Sequence, residues 1–538
     1  MNESYKSEKK KILLVTGHSA ELLVRKYAPK DVDIIVMPVD VAAFITKNMI
    51  IKNISKKIAQ KYDLIMVPGL VQDDLTELTD ILGILVVKGP KYASDIKIVL
   101  TEIDPFILSP IHAADKFLKK QKLALSEKIL YDGYTKPLDE KNEFCIGSKK
   151  KFPIGLTRPP LVMAEIVDAP KLTLEKVLER AHYYLDNGAD ILDIGAVANY
   201  PNPDQIKKIF QQLRPLQEKT DFAISIDTLN VEEIRAAIKS GVDIILSIDH
   251  SNVDELKDEI PIDTGIVYVP TNVVKGILPN NTKERIESLL NLKNKLNEVG
   301  LNKLIADPII EMPIYPGFTQ SLSHYIEYRK VDPKTPMMTC IGNVTEFIAA
   351  DPIGINALFG CMAVELGIQL LLVTDVSVKC RGGIKEVVTA RNMAYVAQQT
   401  NKPPKDQGIN LLMAKSRTAV DLDIIELTEI ETIELELADK DLLYNLNYEF
   451  DPKGSFTIWT DYHKQKIFVS HLAYKSNKAD LLLISSKAKP IFDEIIKRNL
   501  ISNIGHAYYL GRELERAEIC LYLGKTYMQN EQSFKNTE

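Results

Sequence analysis

The sequence predicts an α/β protein. A central (β/α)8 barrel, residues 151–400, is flanked by an N-terminal α/β domain, residues 1–150, and a C-terminal α+β domain, residues 401–538. Three observations predict this fold. Apolar runs alternate eight times with helical patterns in the middle of the chain. Four apolar runs precede them, and strand-like alternation follows the polar break NKPPKDQG.

The composition is typical of a soluble globular protein of several domains. The chain has 538 residues, of which 45% are hydrophobic and 26% charged, and its net charge is −6. The basic runs are short, so we expect no nucleic-acid partner. The five cysteines form no CxxC pair, which argues against a disulfide framework or a structural zinc site. No run is long enough for a membrane span or signal-peptide core, so we predict a cytoplasmic protein without a membrane partner.

The N-terminal domain contains apolar runs that are typical of buried parallel strands. These runs are KILLVTG (11–17), VDIIVMPV (32–39), DLIMVPG (63–69) and GILVVKGP (83–90). The stretch VTGHSAELL (15–23) is a glycine turn entering a helix, which is a place that can bind phosphate. It lacks a GxGxxG or P-loop pattern, so a plain strand–helix turn is the favoured interpretation. The polar stretch 132–153 is predicted to be an irregular lead-in to the barrel.

The central region supplies the eight predicted barrel strands, which are separated by amphipathic helical patterns. The runs are LVMAEIVD (161–168), ADILDIG (189–195), FAISIDT (222–228), VDIILSID (242–249), TGIVYVPTN (264–272), KLIADP (303–308), TPMMTCIGN (335–343) and QLLLVTD (369–375). An open, doubly wound sheet would also alternate in this way. Eight units favour the TIM-barrel architecture instead.

Polar side chains end almost every one of these runs. They are Asp168, Asp193, Asp227, Asp249, Asn272, Asp307, Asn343 and Asp375. In a barrel the carboxyl ends of the strands converge on one mouth, where active sites lie, so we expect a polar pocket there. The alternative is that each residue only caps the helix that follows it.

The C-terminal region reads as α+β. TIELEL (432–437) is a predicted strand, SFTIWTDYHKQKIFVSHL (455–472) is a predicted hairpin, and ADLLLIS (479–485) is an apolar run. Two helices follow, and the second places His506, Tyr509 and Glu513 near one face by their spacing. A packing face is the favoured interpretation of those three residues.

Several motifs occur in the order found in the pterin-binding barrels. GADILDIG (188–195), ISIDTLNVEEIRAAIKSGVDII (224–245), LIADP (304–308) and GNV (342–344) resemble segments of that superfamily. It includes dihydropteroate synthases and the methyltransferases that move a methyl group from a tetrahydropterin to a corrinoid protein. The flanking segments 15–97 and 503–524 resemble domains that accompany synthase-like barrels, largely in archaea. The chain thus resembles an archaeal dihydropteroate synthase-like protein.

The resemblance implies a reduced pterin as substrate or cofactor. Adjacent N–H donors on the pterin's aminopyrimidinone edge suit a carboxylate, and Asp307 is the first candidate for it. Asp227 is expected at the other polar edge, and the pterin-binding set also includes Asp193 and Asp249. Asn343 is predicted to bind the pterin and to assist proton transfer. The sequence assigns no metal ligand, and the need for a metal stays open.

The loops depart from the ordinary synthases. The positions where the synthases hold pyrophosphate and aminobenzoate read VDAPKLT (167–173), VANYPNP (197–203) and CIGNVTE (340–346). After the last strand, Lys379 and Arg381 are the predicted catalytic cations. Three functions stay open. They are a synthase-like transferase of tetrahydrofolate or tetrahydromethanopterin metabolism, a methyltransferase with a corrinoid protein partner, and a non-catalytic pterin-binding protein. Assembly into a homodimer also stays open.

Overall fold

The computed structural model describes residues 10–147, 151–415 and 451–529. Contacts group these residues into two compact units. The first comprises 10–138, 157–159 and 391–410, and the second comprises the other described residues. The division into three domains therefore stays a prediction, and the predicted strand TIELEL lies outside the described residues. Within the described ranges, no helix combines the length and apolarity needed to cross a bilayer.

A parallel four-stranded sheet forms the core of the first unit, in the order β2-β1-β3-β4. Its strands are β1 (Ile12–Thr16), β2 (Asp33–Val36), β3 (Leu64–Val67) and β4 (Leu85–Lys88). All four predicted runs are confirmed as strands. The two central strands, β1 and β3, are buried along their whole length, as their continuous apolar sequences predict.

Short helices connect these strands, and a longer helix follows the sheet. They are α1 (Glu21–Tyr27), α2 (Lys47–Asn53), α3 (Lys56–Ala59), α4 (Thr76–Leu82), α5 (Ile96–Glu102) and α6 (Lys119–Thr135). The prediction that 132–153 is irregular is wrong in two places. Helix α6 continues to Thr135, and an antiparallel hairpin forms from β5 (Phe144–Ile146) and β6 (Phe152–Ile154).

Eight parallel strands of the second unit close into a barrel. They are β7 (Leu161–Ile166), β8 (Ile191–Gly195), β9 (Ala223–Asp227), β10 (Ile244–Ile248), β11 (Gly265–Tyr268), β12 (Leu304–Ala306), β13 (Met337–Cys340) and β14 (Ile368–Val373). The last strand pairs with the first, β14 with β7. The (β/α)8 prediction is therefore confirmed, and the open-sheet alternative is excluded.

Helices surround the barrel. They are α7 (Leu174–Asp186), α8 (Pro203–Gln217), α9 (Val231–Lys239), α10 (Val253–Leu256), α11 (Thr282–Glu298), α12 (Phe318–Val331), α13 (Gly342–Thr345), α14 (Ile353–Leu366) and the first part of α15 (Gly383–Thr400), whose residues from 391 on belong to the first unit. Side chains fix several starts, since Thr173, Asn202 and Asn230 each accept a hydrogen bond from the backbone N–H three residues on.

The carboxylate inside the second barrel strand follows from strand alternation. Leu192 and Ile194 pack into the apolar core shared by the strands and their helices. Successive side chains of a strand point to opposite faces, so Ile191 and Asp193 point into the barrel. An apolar run with an embedded acid is therefore a barrel strand that carries a polar group on its inner face.

The C-terminal part of the second unit packs two helices on a three-stranded antiparallel sheet, in the order β15-β16-β17. The elements are β15 (Ser455–Asp461), β16 (Lys466–Leu472), β17 (Leu481–Ser485), α16 (Ala488–Lys497) and α17 (Ile504–Tyr522). The predicted hairpin 455–472 and both predicted helices are confirmed.

Candidate active site

Three of the eight polar residues singled out in the sequence lie at the carboxyl ends of the barrel strands. Asp227 ends β9, while Asp249 and Asp307 directly follow β10 and β12. Asp193 lies within β8 instead. Three more lie in the loops, namely Asp168, Asn272 and Asp375, and Asn343 lies in the short helix α13. Asp168 is half-buried and pairs with Lys171 at 2.9 Å.

Three carboxylates meet inside this end of the barrel. Glu165 on β7 lies directly opposite Asp193 on β8, and Gly195 lies opposite Asp227 on β9. One carboxylate oxygen from each acid lies within 4.8 Å of the others. A Cβ on Gly195 would collide with the carboxylate of Glu165. A glycine at this position therefore makes room for the acidic cluster, which we define as Glu165, Asp193 and Asp227.

Two serines each hold one oxygen of this acidic cluster. Ser225 donates to Asp193 Oδ1 at 2.5 Å, and Ser247 donates to Asp227 Oδ1 at 2.7 Å. Asp193 is fully buried, and its Oδ2 has no hydrogen-bond partner in the described part of the chain. An unpaired buried carboxylate oxygen is energetically costly. A bound proton, a cation or a ligand would remove this cost by pairing with Oδ2.

Burial and mutual repulsion raise the pKa values of the acidic cluster. Burial, followed by the charge of Asp227, raises the pKa of Glu165 to about 8. The same causes raise the pKa of Asp193 well above its ordinary value, and burial raises that of Asp227. Glu165 therefore carries a proton at neutral pH in the free protein. The carboxylate oxygens of the cluster are also of the kind that Mg²⁺ and Ca²⁺ prefer as ligands.

Asp307 is held in a single orientation beside the cluster. Its Oδ1 accepts from the Ile309 N–H at 2.8 Å and lies 2.9 Å from the Tyr325 hydroxyl. Its Oδ2 has no protein donor among the described residues. Burial raises the pKa of Asp307 to about 6, so the group is a carboxylate at neutral pH. It can therefore accept N–H donors from a ligand at Oδ2.

A buried arginine shapes the loop that follows Asp307. Arg285 on α11 is fully buried, and its guanidinium bonds the carbonyl oxygens of Pro279 and Pro308 at 2.7 and 3.3 Å. Ile309 has a φ of 66°, which is unusual for a β-branched residue. The arginine contacts hold this strained turn, and the turn supplies the N–H that fixes Asp307.

A cavity of about 410 Å³ opens at the ends of β7, β13 and β14, and Glu165 is the member of the acidic cluster that lines it. Glu165, Cys340 and Asn343 line it. Asn343 donates through its side-chain N–H to the Ile310 carbonyl at 2.9 Å, which leaves its side-chain oxygen without a donor among the described residues. Burial, together with the charges of Glu165 and Asp307, raises the pKa of Cys340, so a thiolate nucleophile is not favoured here.

Asp249 is part of the loop framework. Both of its oxygens are used, by donors that include the Ser251 N–H at 2.7 Å and the Thr271 hydroxyl at 2.8 Å. These bonds connect the loops after β10 and β11. A role of Asp249 in pterin binding stays a prediction without support from this geometry.

The two predicted catalytic cations, Lys379 and Arg381, both contact other groups of the protein. The Lys379 ammonium donates to the Ile348 carbonyl. The Arg381 guanidinium lies 5.1 Å from the ring centre of Tyr462, in the turn between β15 and β16. The hydroxyls of Tyr462 and Tyr183 are 3.3 Å apart. The C-terminal hairpin thus contacts the loop after the last barrel strand, and catalytic roles of Lys379 and Arg381 stay predictions.

Sequence reasoning missed Glu165, Arg285 and Tyr325. Glu165 had a visible signal, since it is the one acid inside the run LVMAEI, directly before the last residue of the strand. The polar residue expected at the end of this run, Asp168, lies two residues beyond the strand instead. Arg285 and Tyr325 lie on helices, where an arginine or tyrosine in the sequence gives no indication that it reaches the barrel mouth.

Comparison with protein families matches three parts of the chain. A model described as pterin binding enzyme matches residues 167–327. A model named PterinBD-DUF4346 matches 450–530, and a family of unknown function, DUF6513, matches 10–91. An uncharacterized protein of Methanocaldococcus jannaschii is 36% identical over 537 residues, covering 97% of this chain and 98% of that one. The chain belongs to the dihydropteroate synthase-like, pterin-binding proteins.

Named synthases match this pterin-binding protein over shorter stretches. The dihydropteroate synthase of Streptococcus pyogenes is 33% identical over 78 residues, which are 13% of this chain and 29% of that enzyme. The mitochondrial folate synthesis bifunctional protein of Arabidopsis thaliana is 23% identical over 233 residues, 40% of this chain and 42% of that one. The chain therefore spans less than half of these two relatives.

Solved structures of dihydropteroate synthases also align with this pterin-binding protein. The Yersinia pestis enzyme with a pterine-sulfa conjugate has 17% identity and a TM-score of 0.38, covering 48% of this chain and 100% of that one. The Xanthomonas albilineans enzyme in complex with 7,8-dihydropteroate has 20% identity and a TM-score of 0.35, covering 46% and 95%.

Proposed function

We propose that this protein is a transferase that binds a reduced pterin at the barrel mouth, with Asp307 accepting N–H donors from the aminopyrimidinone edge. The orientation of Asp307 carries the proposal. Its Oδ1 is fixed by Ile309 and Tyr325, while Oδ2 has no donor among the described residues. A fixed, ionised carboxylate that lacks a protein donor on one oxygen suits a ligand edge with adjacent N–H groups.

The proposed reaction is a synthase-type condensation in tetrahydrofolate or tetrahydromethanopterin biosynthesis. The nitrogen of an arylamine forms a bond to the exocyclic methylene carbon of the pterin as the bond from that carbon to the pyrophosphate oxygen breaks. Pyrophosphate leaves with the electron pair, and the amine releases one proton. The protein's contribution is to orient the two reactants and to stabilise the departing charge.

Asp227 is proposed at the second polar edge of the pterin ring. Its Oδ1 is held by Ser247, and it lies in the acidic cluster beside the cavity that Glu165 and Asn343 line. Lys379 and Arg381 are proposed to supply positive charge to the leaving group. In this structure both cations contact protein groups, so this role requires the loop that carries them to rearrange.

Product formation tests the proposal. The purified full chain would be incubated with 6-hydroxymethyl-dihydropterin pyrophosphate and either 4-aminobenzoate or a ribosylated arylamine, and pyrophosphate and the coupled pterin would be quantified. We expect equal amounts of both products from one arylamine. We expect Asp307→Asn to lose most of the turnover. Asp263→Asn should retain it, since Asp263 is exposed and pairs with Lys303.

Methyl transfer to a corrinoid protein is the second candidate, and Asn343 favours it. Its side-chain amide is anchored to Ile310, and its oxygen can accept a proton-bearing group of the pterin. Methyl transfer from methyl-tetrahydropterin to a cobalamin acceptor, lost in Asn343→Ala, would support this candidate. Pterin binding without turnover in either assay would favour a non-catalytic carrier.

A further inference from the structure

The N-terminal sheet carries a second cavity, separate from the barrel. It has a volume of about 260 Å³ and lies at the carboxyl ends of β1, β3 and β4. In this sheet β2 lies on one side of β1 and β3 lies on the other, so the order in which the strands were added reverses between β1 and β3. In open parallel sheets, ligands bind outside the carboxyl ends of the strands at such a reversal point.

The lining of this N-terminal cavity is mostly apolar, with Thr16, Ser19 and Lys91 as the residues that carry polar side chains. Val15, Met66 and Val67 form part of its buried wall. Three aliphatic side chains at its rim stay in contact with water, since Leu23, Val41 and Leu70 are 52%, 47% and 44% exposed. Branched aliphatic groups that surround a cavity and remain exposed mark a surface that a ligand would cover.

The backbone around the N-terminal cavity offers little to a phosphate. In the turn after β1, the His18 and Ser19 N–H groups donate to the carbonyls of Val39 and Asp40 at 2.9 and 3.0 Å. In the loops after β3 and β4, the N–H of Gly69 donates to Pro90 and that of Gly89 to Val67, at 3.1 and 2.7 Å. These amides are already satisfied, so the turn is not a phosphate cradle.

We propose that the N-terminal cavity is a binding site for a small, uncharged, apolar ligand of about the size of two fused aromatic rings. An apolar cavity of about 150 Å³ holds one benzene ring. The volume here, about 260 Å³, accommodates a second ring. The apolar walls supply the affinity through burial of the ligand's carbon surface, and the bonded amides of His18, Ser19, Gly69 and Gly89 argue against a phosphate-bearing ligand.

A matched pair of neighbouring leucines tests this site. Leu23 lines the cavity, whereas Leu22 is 83% exposed and does not line it. The full chain would be titrated with 2-naphthol and followed by ligand fluorescence and saturation-transfer NMR. We expect one saturable site, at least about tenfold weaker in Leu23→Glu and unchanged in Leu22→Glu. Ala43→Phe, which fills the cavity, should also weaken binding, while Asp307→Asn should leave it unchanged.

Four results would overturn the proposal. The first is the absence of saturable binding by the wild type. The second is an equal effect of the Leu22→Glu and Leu23→Glu substitutions. The third is displacement of 2-naphthol by adenosine monophosphate, which would indicate a nucleotide site. The fourth is a concentration-dependent dimer that Leu23→Glu abolishes, which would mean that a second copy of the chain covers the rim.

Discussion

At the scale of single residues, burial decides which acids of the barrel mouth carry charge. Asp307 is 8% exposed, and burial raises its pKa to about 6, although the Ile309 N–H and Tyr325 oppose that shift. Glu165 lacks such donors in the described structure, and its pKa rises further, to about 8. At neutral pH the mouth therefore combines an ionised Asp307 with a protonated neighbour, which is a common way to separate acid and base roles.

Pterin binding should depend on pH through Asp307. The carboxylate accepts N–H donors only when ionised, so affinity should rise as the pH increases through about 6. At pH 5 about a tenth of the group is ionised, and we expect about tenfold weaker binding than at pH 7.5. Titration calorimetry across this range measures the effect. Asp307→Asn is the control and should bind weakly at every pH, and a flat wild-type profile would contradict the assignment.

Glu165 should make the folded state less stable as the pH rises. Its pKa is raised in the folded state, so the native protein holds a proton that the unfolded chain releases near pH 4.5. Its stabilising contribution is complete below that pH and is lost between about 4.5 and 8. The unfolding free energy of the wild type should fall between pH 5 and pH 8. In Glu165→Gln we expect this fall to be smaller by on the order of 3 kcal/mol.

Urea unfolding at the two pH values measures this difference. Glu298→Gln, at the exposed end of α11, serves as the control and should leave the pH dependence unchanged. An identical pH dependence in wild type and Glu165→Gln would show that Glu165 carries no shifted proton.

At the scale of secondary-structure elements, helix α12 positions the carboxylate that follows β12. The Tyr325 hydroxyl lies 2.9 Å from Asp307 Oδ1 and lowers the pKa of that group. Tyr325→Phe should therefore move the pH midpoint of pterin binding upward from about 6. Tyr328→Phe, one turn along, removes a hydroxyl that bonds Tyr268 instead, and should not move the midpoint. An equal shift in both variants would indicate a general loosening of the helix.

The hairpin β15–β16 and the loop after β14 form a second coupled pair of elements. The Arg381 guanidinium faces the ring of Tyr462 across 5.1 Å. We expect Arg381→Ala and Tyr462→Ala each to lower the unfolding free energy, with a coupling energy of about 1 kcal/mol in the double mutant. A double-mutant cycle by urea unfolding measures it, with His463→Ala as the comparison. Full additivity would show that the stacking contributes nothing.

At the scale of the whole molecule, the apolar runs were sufficient to predict the barrel. Each buried strand needs a continuous or alternating apolar sequence, so eight such runs were visible without a structure. The short hairpin in the stretch 132–153 is not predictable in this way, because its strands FCI and FPI lie in polar surroundings. Three-residue strands give too little pattern to detect.

The candidate site was only partly predictable, for a different reason. Asp227 and Asp307 occupy strand ends, where sequence position alone indicates the mouth. The contacts that determine their properties come from distant segments. Arg285 reaches the Asp307 loop from α11, and Tyr462 reaches Arg381 from the C-terminal sheet. Such long-range neighbours follow from tertiary packing, so a single sequence does not reveal them.

The central claim is that Asp307 binds a reduced pterin at the barrel mouth. The most direct test is calorimetric titration of wild type, Asp307→Asn and Asp263→Asn with 6-hydroxymethyl-dihydropterin at pH 7.5. We predict one binding site, retained in Asp263→Asn and weakened by about 10- to 100-fold in Asp307→Asn, because a charge-assisted hydrogen-bond pair is lost. Equal affinity in all three proteins, or no binding to the wild type, would contradict the account.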